Sequence, residues 1–170
     1  GLANEAVLQA CKDASSSGVV ACANYNTKGQ VVISGEKQAV AAAGELAKKA
    51  GAKRVLLLNV SVPSHSPLMK PAAEKLASAL DKIDIKTPSI PVIHNVDVMA
   101  HQSPEKIRTA LIEQLYSPLR WVESVEALSE QGINYFVECG PGKVLTNMGK
   151  RIVREATHQS FLNYEEQSCH

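Results

Sequence analysis

The sequence predicts an α/β protein, on three observations: apolar residues recur at helical spacing in several segments, short β-rich runs lie between them, and the two kinds alternate along the chain. Glycine, serine and asparagine mark the breaks between segments. With 170 residues, 45% of them hydrophobic, the chain has enough apolar surface for a core.

From Ala3 to Ala14, Val7, Leu8, Cys11 and Ala14 recur at helical spacing, and Ser15-Ser16-Ser17-Gly18 stops the helix. Val19 to Tyr25 and Gln30 to Ser34 read as strands of a hairpin, joined through Asn26-Thr27-Lys28-Gly29. Glu36 to Ala50 is an Ala-rich helix with Gly51 as its stop, and Lys53 to Val60 is an almost continuous apolar strand. The order α, β, β, α, β lacks only the first strand of a βαββαβ unit. Residues 1–59 therefore read as a ferredoxin-like small subdomain truncated at its N-terminus, the missing strand being expected ahead of Gly1.

Leu68 to Leu80 reads as a helix with Pro71 in its first turn, and Ile90 to Val96 as a buried strand. Pro104 to Leu115 and Leu119 to Gln131 are amphipathic helices. Ile133 to Glu138 is a strand, Gly140-Pro141-Gly142 a sharp turn and Lys143 to Glu155 a helix, and the tail after Ala156 carries no clear pattern. These strands are too few to complete a doubly wound sheet, so residues 60–170 are expected to be part of a larger subdomain.

Composition excludes several classes. With 18 basic and 17 acidic side chains the net charge is +1, which gives no global attraction to nucleic acid or an anionic membrane. Two local basic clusters stand out, Lys48, Lys49, Lys53 and Arg54, and Lys143, Lys150, Arg151 and Arg154. Each is a solvated face on the plainer reading and a docking surface for an acidic protein on the sharper one. Cys11, Cys22, Cys139 and Cys169 are scattered and form no CxxC pair, so a disulfide framework or zinc knuckle is not expected and a reducing cytoplasm fits best. No apolar run approaches the roughly 20 residues of a spanning helix.

The segment Ser61-Val62-Pro63-Ser64-His65-Ser66-Pro67 sets a histidine between two prolines where a strand passes into a helix. Proline restricts its own φ and the residue before it, so His65 is expected on a stiff loop, as a catalytic group requires. By its own surroundings His65 is also readable as an ordinary loop histidine. His94 falls in an apolar strand and reads as a core or strand-end residue, whereas His101, His158 and His170 are expected at the surface. No His, Cys, Asp or Glu group has metal-ligand spacing. Gly140-Pro141-Gly142-Lys143 is not a phosphate loop, because Val137 and Val144 stand where that motif needs glycine and a hydroxyl residue.

Six segments in order resemble one family: Asn24-Tyr25-Asn26, Gly29-Gln30-Val31-Val32-Ile33-Ser34-Gly35, Ser61-Val62-Pro63-Ser64-His65, His94-Asn95-Val96, Gln114-Leu115-Tyr116-Ser117-Pro118 and Glu138-Cys139-Gly140-Pro141-Gly142. They are similar to the C-terminal portion of bacterial malonyl-CoA:acyl carrier protein transacylases. The resemblance implies an α/β-hydrolase-like acyltransferase large subdomain, whose C-terminal part would be residues 60–170, carrying the ferredoxin-like small subdomain as an insertion. It implies a ping-pong reaction of fatty acid synthesis. A serine in a GHSxG elbow takes malonyl from malonyl-CoA and passes it to the phosphopantetheine thiol of acyl carrier protein, with coenzyme A entering as substrate and no other cofactor.

The same resemblance makes His65 the catalytic base, Gln114 its orienting partner through the main-chain carbonyl, and Asn24 and Asn26 residues of the substrate cleft, although turn-forming asparagines fit the last two equally well. GHSxG, the GQGSQ-like oxyanion loop and the carboxylate-binding arginine of the family do not occur in the chain, so the 170 residues alone are expected to be inactive. An acyltransferase domain of a polyketide-type synthase with another acyl unit, or a non-catalytic binding module, would share these segments.

Overall fold

Helix α1 (Asn4–Asp13) turns Ala10 and Cys11 inward, then tightens into a 3-10 turn at Ala14–Ser17 before Gly18, at φ 127°, ends it. Serine hydroxyls compete with helical backbone bonds, and glycine adopts that φ without a Cβ penalty. This is one element of a computed structural model that describes residues 1–161; Cys169 and His170 lie outside the described residues. The chain forms two units, Gly1–Trp121 and a second from Val122 onward.

In the first unit α1 is followed by the hairpin of β1 (Val20–Thr27) and β2 (Gln30–Gly35), in which Thr27 faces Gln30. The connection is therefore Lys28-Gly29 alone, with Gly29 at φ 76°. Asn26 and Thr27, expected in the turn, belong to the strand; register shifts between Cys22 and Asn24 and between Tyr25 and Thr27 lengthen β1 relative to its partner. Helix α2 (Lys37–Lys49) ends as the sequence indicates: Gly51, at φ 98°, donates its N–H to the Lys48 carbonyl and Ala52 donates to Ala47, both at 2.9 Å. Cys11 and Ala14, Cys22 and Ala43 form the buried centre between the helices and the hairpin, bordered by Val7, Val20, Tyr25, Ile33 and Leu46.

The predicted strand at Lys53 to Val60 does not form. Among the described residues no strand lies beside it, and Leu56, Leu57 and Leu58 are 66%, 84% and 54% exposed. β-rich composition favours an extended backbone, but a ladder needs a neighbour to take its N–H and C=O groups. The buried strand expected at Ile90 to Val96 likewise shrinks to β3 (Ile93–His94), paired antiparallel with β4 (Met99–Ala100), while Ile90 is 75% exposed.

A 3-10 turn at Pro67–Met69 leads into α3 (Lys70–Leu80), with Pro71 in the first turn where its missing N–H costs no bond. Helix α4 (Pro104–Gln114) starts from Ser103, whose hydroxyl accepts from the Lys106 N–H at 3.4 Å. Arg108 of α4 donates to the Leu80 carbonyl from Nε at 3.4 Å and from Nη2 at 3.3 Å, closing the C-terminus of α3.

Beyond α5 (Trp121–Glu130), the second unit is a β-α-β crossover of β5 (Tyr135–Glu138), α6 (Val144–Ile152) and β6 (Thr157–Ser160), with the strands parallel from Tyr135 opposite Thr157 to Glu138 opposite Ser160. β6 corrects the reading of the tail as patternless: its alternation is carried by polar side chains, so a hydropathy pattern misses it. His158, expected at the surface, is 6% exposed and stacks on Phe136 with ring centroids 4.9 Å apart and planes at 12°. Its Nε2 donates to the Val153 carbonyl at 2.9 Å. Helix α6 passes so close that a Cβ on Gly149 would stand 2.3 Å from His158 Nδ1, which explains a glycine inside a helix. Among the described residues no helix is long and apolar enough to cross a membrane.

Candidate active site

Ser66 is fully buried and donates its hydroxyl to the Pro63 carbonyl at 2.7 Å, while the Ser64 N–H donates to Val62 at 2.8 Å. Between them His65 is forced to φ 59°, a conformation the proline arguments do not predict. For a residue with a Cβ, the left-handed region costs about 1–2 kcal/mol and persists only where neighbours over-determine it. Here the His65 N–H donates to the Leu115 carbonyl at 3.0 Å, fixing the loop to the end of α4.

The imidazole is held at the same place. His65 Nδ1 lies 2.7 Å from the main-chain oxygen of Gln114. A carbonyl only accepts, so Nδ1 carries the proton in the neutral ring and Nε2 keeps its lone pair. Gln114 is the last residue of α4, where helical carbonyls lack intrahelical partners. The helix end thus receives both the backbone N–H and the ring N–H of His65, through two successive carbonyls.

Residues 114–119 also carry the hairpin. The Tyr25 N–H donates to Leu119 at 2.9 Å and the Leu119 N–H donates to Ala23 at 2.8 Å, a parallel bridge centred on Asn24. One short segment therefore ties down the His65 loop at its start and β1 at its end. Asn24 and Asn26 are half-buried in β1 and not in the turn, which removes the turn-forming explanation for them. Lys70 reaches back from α3 to the same segment, its Nζ 5.9 Å from the Tyr116 ring centroid.

His94 is buried in β3 as expected, whereas His101 is far less exposed than expected: its side chain is 15% exposed and Nε2 lies 2.6 Å from Asp97 Oδ2. Burial lowers the His94 pKa, with the His101 charge acting in the same sense against Asp97. Burial pushes Asp97 up, but hydrogen bonds from His101 and the Met99 N–H outweigh it and hold the carboxyl below its ordinary value. Among the described residues no group of three His, Cys, Asp or Glu side chains is placed to hold a metal ion.

At the Gly140-Pro141-Gly142 turn, the Glu138 carboxylate accepts from the Leu145 N–H at 3.1 Å, the Thr146 N–H at 2.8 Å and the Thr146 hydroxyl at 2.7 Å. Its side chain occupies the start of α6 where a phosphate would need those amides. Burial works against the charge, yet these donors hold the Glu138 carboxyl below its usual range.

Residues 1–164 match the acyl transferase domain family. The chain belongs to that family. It is 56% identical over 153 residues to the malonyl CoA-acyl carrier protein transacylase of Haemophilus influenzae, covering 90% of this chain and 49% of that one. The crystal structure of an acyl carrier protein S-malonyltransferase from Vibrio cholerae superposes with a TM-score of 0.92 at 55% identity, over 94% of this chain and 52% of that chain. A malonyl-transacylase in complex with a type II polyketide acyl carrier protein gives 0.89 at 53% identity, over 94% and 51%. The mixed α/β fold is thus that of known acyltransferases, and the chain spans about half the length of the curated relatives it matches.

Proposed function

We propose that the chain supplies the base half of a Ser–His acyltransferase that moves malonyl from coenzyme A to the phosphopantetheine thiol of acyl carrier protein in fatty acid synthesis. The observation that carries this reading is the 2.7 Å contact between His65 Nδ1 and the Gln114 carbonyl. A hydroxyl is a weak nucleophile until a base accepts its proton, and the base must present the correct nitrogen. With Nδ1–H spent on Gln114, Nε2 is the acceptor for the serine proton, and it returns that proton to the departing coenzyme A sulfur. In the second half-reaction it takes the proton of the phosphopantetheine thiol, whose sulfur then attacks the acyl-serine ester, and gives it back to the serine oxygen. A neutral carbonyl stabilises the imidazolium less than a carboxylate would, which suits transfer between thioesters.

The serine is assigned to sequence outside these 170 residues, a reading supported by the chain's spanning about half the length of the curated relatives it matches. The names of the relatives support the malonyl group and acyl carrier protein as substrates. The α1-β1-β2-α2 run supports reading residues 1–59 as a ferredoxin-like small subdomain, and residues 60–170 are assigned to the C-terminal part of a hydrolase-like large one. Asn24 and Asn26, on the strand bridged to Leu119, are assigned to the cleft wall. A cytoplasmic location fits this chemistry.

In the complete protein, His65→Ala should slow malonyl-enzyme formation by about 10²–10⁴-fold, the usual range for a general base. Gln114→Ala keeps the carbonyl and should leave the rate nearly unchanged. Unaltered acylation by His65→Ala would overturn the assignment of the base.

A further inference from the structure

Among the described residues, His65 and Val98 are the two non-glycine residues with positive φ, at 59° and 63°. For a β-branched side chain that backbone is an outlier, and such strain persists only where neighbours over-determine it. Both residues are fastened to the same stretch of chain. His65 bonds to the Gln114 and Leu115 carbonyls at its start. The turn that contains Val98 receives its end: the Arg120 N–H donates to the Asn95 carbonyl at 2.9 Å, and Arg120 Nη1 donates to the Asp97 carbonyl at 3.4 Å.

The Asp97 carboxylate closes this turn. The Val98 N–H donates to the His94 carbonyl at 2.9 Å, which fixes the chain ahead of Val98. The chain after it is held by Asp97: Oδ1 accepts from the Met99 N–H at 3.1 Å, and Oδ2 lies 2.6 Å from His101 Nε2, which donates because a carboxylate only accepts. The His101 ring is itself set against the buried His94 ring, with centroids 5.4 Å apart, so the carboxylate meets a donor that is already in place. Val98 is thereby pinned on both sides.

We propose that Asp97 is a positioning residue for the acyl transfer, a role that rests on His65 being the base. It acts through the strained turn at Val98 and through Arg120 on the segment that carries His65 and Asn24. Without the carboxylate Val98 relaxes to negative φ, the Asn95 and Asp97 carbonyls leave Arg120, and residues 114–119 lose one of their anchors. The carbonyl that selects Nδ1–H on His65 then moves, and the Leu119 bridge to β1 shifts with Asn24. Misplacement by about 1 Å, even from a change far from the chemistry, costs about 10²-fold.

The test is single-turnover acylation of the complete protein by malonyl-CoA, together with ¹⁵N spectra of its histidine rings. Asp97→Ala should slow acylation by about 10- to 100-fold and weaken the Nδ1–H signal of His65. Asp97→Asn, which keeps an acceptor for the Met99 N–H, should stay close to the parent rate. The deciding variant adds Val98→Gly to Asp97→Ala. Glycine takes positive φ without a Cβ penalty, so the double variant should recover most of the rate and the Nδ1–H signal, whereas loss of a merely stabilising ion pair would not be rescued this way. Asp97→Ala at the parent rate, with His65→Ala slow, would overturn the positioning role and leave the base in place. A slow Asp97→Ala that Val98→Gly fails to restore would do the same. Normal acylation by His65→Ala would overturn the base and this role with it.

Discussion

Gly149→Ala puts a single methyl group where the second unit has no room for it. The added Cβ would lie 2.3 Å from His158 Nδ1, 2.6 Å from Cε1 and 3.2 Å from Cγ, so the ring must retreat by more than an ångström. The ring is not free to do so, because it is 6% exposed, stacked on Phe136 and bonded to the Val153 carbonyl. Overpacking costs about 1–3 kcal/mol. Loss of the His158 hydrogen bond adds about 1 kcal/mol, and the better helix propensity of alanine returns about the same. The net is about 1–3 kcal/mol of local destabilisation, a factor of roughly 5 to 150 in an opening constant. Hydrogen exchange of the peptide spanning α6 and β6 reads this directly and does not require the whole chain to unfold as one. The same substitution in a His158→Ala background should cost far less, since the clash has been removed. Equal exchange in Gly149→Ala and the parent chain, or a penalty that survives in the His158→Ala background, would refute the packing argument.

Glu138→Gln removes a charge that three donors address, and hydrogen bonds to charged groups are worth about 1.5–3 kcal/mol each when buried, less here where the carboxylate is partly exposed. Faster exchange of the Leu145 and Thr146 amides is the expected result. The folded carboxyl is held below its unfolded value, so its contribution is present above the unfolded pKa and is lost as pH falls through the folded one; acid unfolding of Glu138→Gln should therefore be less steep across that window. Leu57, at 84% exposure in a leucine run without a β partner among the described residues, should make these 170 residues self-associate on their own. Leu57→Lys should reduce the sedimentation coefficient without changing the circular dichroism, and a chain that is monomeric before the substitution would contradict this.

What could be read from the sequence divides along a physical line. Local signals were sufficient for α1, α2 and the presence of the hairpin between them, though not for its two-residue connection, because helix spacing, a glycine at the tight connection and Gly51 as a stop act within a few residues of one another. They failed at Lys53 to Val60 and Ile90 to Val96, where apolar β-formers are necessary for a strand but a neighbour is what makes one. They failed differently at His158, whose burial depends on a glycine in another element and on Phe136 across the parallel pair.

The candidate site shows the same division. The family segments pointed to His65 and to the Gln114 carbonyl, and the 2.7 Å contact joins them. Ser66 escaped notice because a buried serine bonded to a carbonyl three residues back looks like any other serine. The left-handed backbone of His65 was equally hidden, since it is imposed by Leu115, fifty positions along the chain.

The tautomer of His65 tests the central claim most directly. In ¹⁵N-labelled protein, two-bond couplings from the ring carbons distinguish a protonated nitrogen from one with a free lone pair. The account predicts that the neutral His65 ring carries its proton on Nδ1, toward the Gln114 carbonyl, with Nε2 unprotonated. A neutral ring protonated on Nε2 would leave no lone pair to accept the serine proton and would contradict the assignment of His65 as the base.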